Sequence, residues 1–120
     1  MKPTILLVDD EPMMQLLLKQ LFKAEFDVHV FNNGKEALNW MYSGSIPDLA
    51  IFDLQMPEMD GLEATRLIRL SKPYLPIIAQ TAFAMENDKD ACMAAGCNAY
   101  IEKPIQAQKF LSMAAVYLSK

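Results

Sequence analysis

Short apolar runs alternate with amphipathic stretches along this chain, and the alternation repeats five times. Ile5 to Val8 is continuously apolar, as expected of a strand covered on both faces. Pro12 to Ala24 follows with helical periodicity, and Val28 to Phe31 is a second, more alternating strand. Asn33-Gly34-Lys35-Glu36 places a capping residue three positions before a glutamate, which predicts a helix running to Tyr42 and closed by Gly44. Leu49 to Phe52 reads as a third strand. Asp60-Gly61-Leu62-Glu63 repeats the capping pattern and opens a helix through Leu70. Pro76 to Gln80 predicts a fourth strand, Met85 to Ala95 a helix that stops at Gly96, Ala99 to Ile101 a fifth strand, and Gln106 to Leu118 a last helix.

Five strand–helix units in 120 residues predict an α/β fold. The expected form is a single doubly wound (βα)5 parallel sheet with right-handed crossovers and helices on both faces. One domain spanning residues 1–120 is expected, since no linker, repeat or low-complexity stretch interrupts the pattern. In such sheets ligands bind beyond the carboxyl ends of the strands.

Composition narrows the function. The net charge is −4, and no basic cluster is present to neutralise phosphates, which argues against nucleic-acid contacts. No apolar run approaches the ~20 residues of a membrane span. Met1-Lys2-Pro3-Thr4 lacks a signal-peptide pattern, so a cytoplasmic location without membrane insertion is expected. Cys92 and Cys97 have no His or further Cys at metal-ligand spacing and read as small core residues. His29, the one histidine, reads as a partly exposed strand residue.

The strand ends carry the candidate chemistry. The first strand ends in Asp9-Asp10-Glu11, the third in Asp53 and the fourth in Gln80-Thr81-Ala82; Lys103-Pro104 follows the fifth. Singly, each has an ordinary reading as a cap, loop or surface residue. Together they bring carboxylates, a hydroxyl and an ammonium to one edge. Clustered carboxylates repel and favour a hard divalent cation, and Mg²⁺ suits one or two carboxylates with water and a phosphate oxygen. The set matches phosphoryl transfer to a carboxylate, in which positioning and charge neutralisation dominate. Asp53 would be the nucleophile. Asp10 with Asp53 would hold Mg²⁺, Lys103 would neutralise a second phosphoryl oxygen, and Thr81 would donate to a third.

The stretches Ile5-Leu6-Leu7-Val8-Asp9-Asp10-Glu11, Phe52-Asp53-Leu54-Gln55-Met56-Pro57-Glu58-Met59-Asp60-Gly61, Thr81-Ala82 and Lys103-Pro104-Ile105 resemble the receiver domains of two-component response regulators. The resemblance covers nearly the whole chain. It implies a flavodoxin-like sheet of strand order 2-1-3-4-5, with Asp53 as phosphoacceptor. It implies Asp9, Asp10, Asp53 and the Gln55 backbone carbonyl as the Mg²⁺ ligands. Thr81, Ala82 and Lys103 become the phosphate-contacting set, Tyr100 an aromatic rotamer switch, and Pro104 a candidate for a cis peptide. The segment from Thr81 to Asp88, with Cys92, Gly96 and Tyr100 to Ile105, resembles receivers of hybrid sensor histidine kinases, with a single-domain regulator as the alternative. The implied partner is a histidine kinase or a histidine-phosphotransfer domain, and the chain accepts the phosphoryl group on itself rather than acting as an enzyme. The family often has Asn-Arg where this chain has Met14-Gln15, and Gln55 and Phe83 occupy the positions that tune phosphate lifetime.

Three rival readings fit less well, one of them a receiver-like scaffold that is never phosphorylated, which should have lost part of the constellation, and none of it is missing. An aspartate-nucleophile phosphatase would carry Asp-x-Asp at the end of its first strand, whereas this strand ends in adjacent aspartates. A flavodoxin-like cofactor binder would want a Ser/Thr/Gly-rich phosphate loop there. On a helical wheel of the first helix, Met14, Leu17, Leu18 and Leu21 predict the core stripe, with Gln15, Lys19, Gln20 and Lys23 opposite. Leu16 falls among the polar residues and Met13 at the stripe's margin. That pair is the candidate anchor for a helical phosphodonor.

Overall fold

A computed structural model describes residues 2–53, 61–81, 86–102 and 105–118. The elements run β1 (Thr4–Val8), α1 (Pro12–Phe22), β2 (Asp27–Phe31), α2 (Gly34–Tyr42), β3 (Leu49–Asp53), α3 (Gly61–Ser71), β4 (Ile77–Thr81), α4 (Glu86–Ala95), β5 (Ala99–Glu102) and α5 (Ala107–Leu118). The strands pair in parallel in the order β2-β1-β3-β4-β5, a flavodoxin-like sheet.

Side chains alternate across the sheet and divide the core in two. Leu6, Val8, Ala50, Phe52, Ile77 and Ala79 pack with α2, α3 and α4; Ile5, Leu7, Leu49, Ile51, Ile78 and Ile101 pack with α1 and α5. Both faces are covered, which is why Ile5 to Val8 of β1 and Leu49 to Phe52 of β3 read as unbroken apolar runs and β4 begins as one.

Local signals set the helix ends. The Asn33 side chain accepts from the Glu36 amide at 2.9 Å, and Glu36 Oε1 accepts from the Asn32 amide at 3.3 Å, so the predicted cap of α2 forms. Gly44 and Gly96 follow α2 and α4 with φ of 108° and 112°, values that favour glycine. At Gly96 space is also short, because an added Cβ would lie 2.8 Å from Arg69 Cγ. The Asp60 cap and Met85 lie outside the described residues.

Helix α1 is rotated relative to the wheel predicted from sequence. Buried Leu18 and Phe22, with half-buried Met14, face the core. Leu17 and Leu21, predicted to lie in the core stripe, are exposed instead. Phe22 sets the rotation: it stacks on Phe110 of α5 with centroids 4.3 Å apart, and Phe26 meets both rings edge-on. With residues at ~100° intervals, the direction opposite Leu18 and Phe22 falls at Gln20, and among the apolar residues Met13, Leu16, Leu17 and Leu21 lie progressively further from it. Their exposures fall in that order: 73%, 58%, 50% and 43%. Gln15, predicted on the solvent arc, is half-buried and hydrogen-bonded.

Candidate active site

The two central strands carry the acidic cluster. Asp9 follows β1, and its amide donates to the Phe31 carbonyl at 3.1 Å, extending the pairing with β2 by one residue. Asp53 is the last residue of β3 and pairs in register with Gln80 of β4. Asp9, Asp10 and Asp53 each bring a carboxylate oxygen to within 4.8 Å of the others; Asp9 and Asp53 are buried and Asp10 is exposed. Strand alternation explains the grouping, because Asp53 continues the face of Ile51 and Gln80 that of Ile78.

Asp9 is held from several sides. Its Oδ1 accepts from the Glu11 amide at 2.9 Å and its Oδ2 from Gln80 Nε2 at 2.8 Å. The Gln15 side-chain Nε2 donates to the Asp9 carbonyl and, at 2.8 Å, to Asn32 Oδ1, fastening the end of β1 to the segment after β2. Sequence reasoning assigned no role to Gln80 or Gln15. For Gln80 a signal was present: an amide directly after the apolar run Ile77-Ile78-Ala79, near the end of a buried strand, requires a buried partner.

Thr81 ends β4 beside Gln80 and is buried. Tyr100 of β5 pairs with Ala79, is half-buried against the α2–α4 side of the core, and has Lys89 Nζ 5.3 Å from its ring centroid. Met13 and Leu16 lie on the outer face of α1, which begins just after Asp10. Gln55, Ala82, Phe83, Lys103 and Pro104 lie outside the described residues, so their predicted parts in the site carry no geometry.

The cysteines take no part in this site. Cys92 and Cys97 are buried beside α3, with the Cys97 sulfur 3.8 Å from Thr65 Oγ1, and burial pushes the Cys97 thiol above its ordinary pKa. His29 is partly exposed and lies against Trp40, as the sequence predicts for a strand residue. No helix among the described residues is long and apolar enough to cross a membrane.

Residues 5–115 match the family model of the response regulator receiver domain. The chain is 35% identical, over 98% of both chains, to the polar-differentiation response regulator DivK of Brucella anthropi. It is similar to the receiver domain of the sensor histidine kinase PA1611 from Pseudomonas aeruginosa PAO1, whose structure has a magnesium ion coordinated in the active-site cleft. The TM-score is 0.91 at 28% identity over the full length of both chains. A CheY-like response regulator receiver domain protein from Methanospirillum hungatei JF-1 matches with TM-score 0.91 at 27% identity, over 99% of this chain and 95% of that one.

Proposed function

Because the chain belongs to the response regulator receiver domain family, the phosphoacceptors of two-component signalling, we propose that Asp53 takes a phosphoryl group from a phosphohistidine partner in a Mg²⁺-dependent transfer. One observation carries the reading: a buried Asp53 carboxylate stands within 4.8 Å of the Asp9 and Asp10 carboxylates at the end of the central strands.

The residues present fit the cation. The donors are all oxygen, the preference of a hard divalent ion, and their like charges repel unless one is bound. Asp9, Asp10 and Asp53, with the Gln55 carbonyl, would hold Mg²⁺. When bound, it would offset most of the cluster's negative charge and screen one phosphoryl oxygen. An Asp53 carboxylate oxygen attacks phosphorus, the P–N bond of the phosphohistidine breaks, and the imidazole leaves with the bonding pair. The product is an acyl phosphate on Asp53. Thr81 donates its hydroxyl to a phosphoryl oxygen, Lys103 neutralises another, and Ala82 completes the contacting set. The chain itself accepts the group, and Tyr100 transmits the change.

The donor is a histidine kinase or a histidine-phosphotransfer domain. It docks on the outward face of α1 beside the site, with Met13 and Leu16 as anchors. A place in a hybrid-kinase phosphorelay is supported by the residues from Thr81 to Ile105 and by the likeness to a histidine kinase's receiver.

The test is acetyl phosphate labelling, or beryllofluoride binding, in the presence of Mg²⁺. Intact mass should show one base-labile phosphoryl group, located on Asp53. Stoichiometric labelling of Asp53→Ala at neutral pH would overturn the assignment.

A further inference from the structure

Gln80 is fully buried within β4, and the two ends of its amide have different fates. Nε2 donates to Asp9 Oδ2 at 2.8 Å, across 71 residues of sequence. Oε1 finds no hydrogen-bond partner among the described residues. A buried amide oxygen without a donor is costly, and such groups in native structures mark strain, function or an absent water or ion. The three positions before it in this strand, Ile77, Ile78 and Ala79, are apolar and fully buried, and packing against them would be better served by a hydrocarbon side chain.

The position of Gln80 indicates its purpose. It pairs with Asp53 of β3 on one side and Ile101 of β5 on the other, and residues paired in parallel strands share a face. β3 lies between β1 and β4, so Gln80 and Asp9 meet across the strand that ends in Asp53. The bond fixes one oxygen of Asp9, and the Glu11 amide fixes the other. A carboxylate oxygen has more than one lone pair, so a hydrogen bond to it does not by itself prevent it from ligating a cation. A ligand carboxylate held in this way is oriented before the cation arrives.

We infer that Gln80 is a positioning residue of the cation site: its Nε2 holds Asp9 in the orientation Mg²⁺ requires, and its Oε1 accepts a hydrogen bond from a water brought in with the ion. Mg²⁺ dehydrates reluctantly and keeps several waters when few carboxylates bind it, so it supplies the donor that Oε1 lacks. This rests on the reading that the acidic cluster binds Mg²⁺.

The experiment is a calorimetric Mg²⁺ titration of the full chain and of Gln80→Leu and Gln80→Met, with melting in EDTA measured in parallel. Both substitutions keep an apolar side chain of similar bulk. Removing an outer-shell partner of a metal ligand weakens affinity about 10- to 100-fold, and that loss is expected in whichever variant folds. A residue that only fills space would change melting in EDTA and leave the Mg²⁺ affinity alone, so a folded variant binding within about twofold of the original chain overturns the inference. Should neither variant fold, the side-chain amide resonances of Gln80 in the unsubstituted protein decide. They must move when Mg²⁺ is added, and stationary resonances overturn the inference. If the unsubstituted chain binds no Mg²⁺, the functional reading fails with it; if it binds and a folded variant binds equally, only the role of Gln80 fails.

Discussion

Asp10 is the exposed member of the carboxylate cluster, so its charge can be removed without opening a hole in the core. In the metal-free state it is repelled by Asp9 and Asp53, and Asp10→Asn should raise the melting temperature in EDTA. In the unsubstituted chain Mg²⁺ should stabilise by linkage. At a hundredfold excess over Kd the gain is about 2.7 kcal/mol. That moves the Tm of a domain this size by on the order of 10 °C. The Asn variant should lose most of that response. Thermal scans with and without Mg²⁺ check both signs, and a variant that melts lower yet responds fully would remove the electrostatic account. The three aspartates were legible in sequence because each follows an apolar run, and strand ends converge in a parallel sheet. Gln15 was not, and for Gln80 the sequence signals a buried partner without naming it, because a glutamine announces no specific chemistry until its partner's position is known. The pairing of Gln80 with Asp9 depends on which strand lies between theirs, a property of the sheet rather than of either residue.

Helix α1 shows what periodicity does and does not fix at the scale of an element. The existence of the helix and its start at Pro12 follow from the pattern, but the rotation does not. With Met14, Leu16, Leu17, Leu18, Leu21 and Phe22 in one helix, apolar residues cover too wide an arc for the wheel to name a single inward direction. The aromatic group of Phe22, Phe26 and Phe110 selects it. The outcome is an exposed apolar strip of Met13, Leu16, Leu17 and Leu21, longer than the Met13 and Leu16 anchor predicted from sequence. A contiguous patch next to a reactive site has the character of an interaction surface. Leu16→Asp and Leu17→Asp should each slow phosphotransfer from the cognate protein donor by roughly tenfold or more, the scale of a central interface residue. Acetyl phosphate labelling of Asp53 should stay unchanged, since the small donor needs no α1 surface. Stopped transfer assays with both donors distinguish the cases. Equal slowing with both would mean damage to the fold, and unchanged rates with both would leave the strip without a partner.

At the scale of the whole molecule, the proposed phosphoryl group at Asp53 would be felt on the α4–β5 face, with Tyr100 as its proposed reporter. Thr81 ends β4 while Tyr100 lies in the adjacent β5, paired two residues earlier with Ala79. Lys89 of α4 sits 5.3 Å from the Tyr100 ring centroid, a cation–π contact that favours the present orientation. Such a contact at an exposed site contributes about 0.5–1 kcal/mol. A two-state equilibrium needs a differential of about 5.5 kcal/mol to pass from 1:99 to 99:1, so the contact biases the switch without locking it. Beryllofluoride with Mg²⁺ should therefore turn Tyr100 inward as Thr81 is drawn to the acceptor, and separate its ring from Lys89. Lys89→Ala should shift the unmodified protein toward the inward state by about two- to fivefold, the equivalent of the lost contact. Tyr100 ring resonances, referenced to the beryllofluoride-bound end state, measure that shift. Identical Tyr100 spectra with and without beryllofluoride would remove Tyr100 from the switch. A normal beryllofluoride response with no displacement in Lys89→Ala would show that α4 holds the resting state by other contacts.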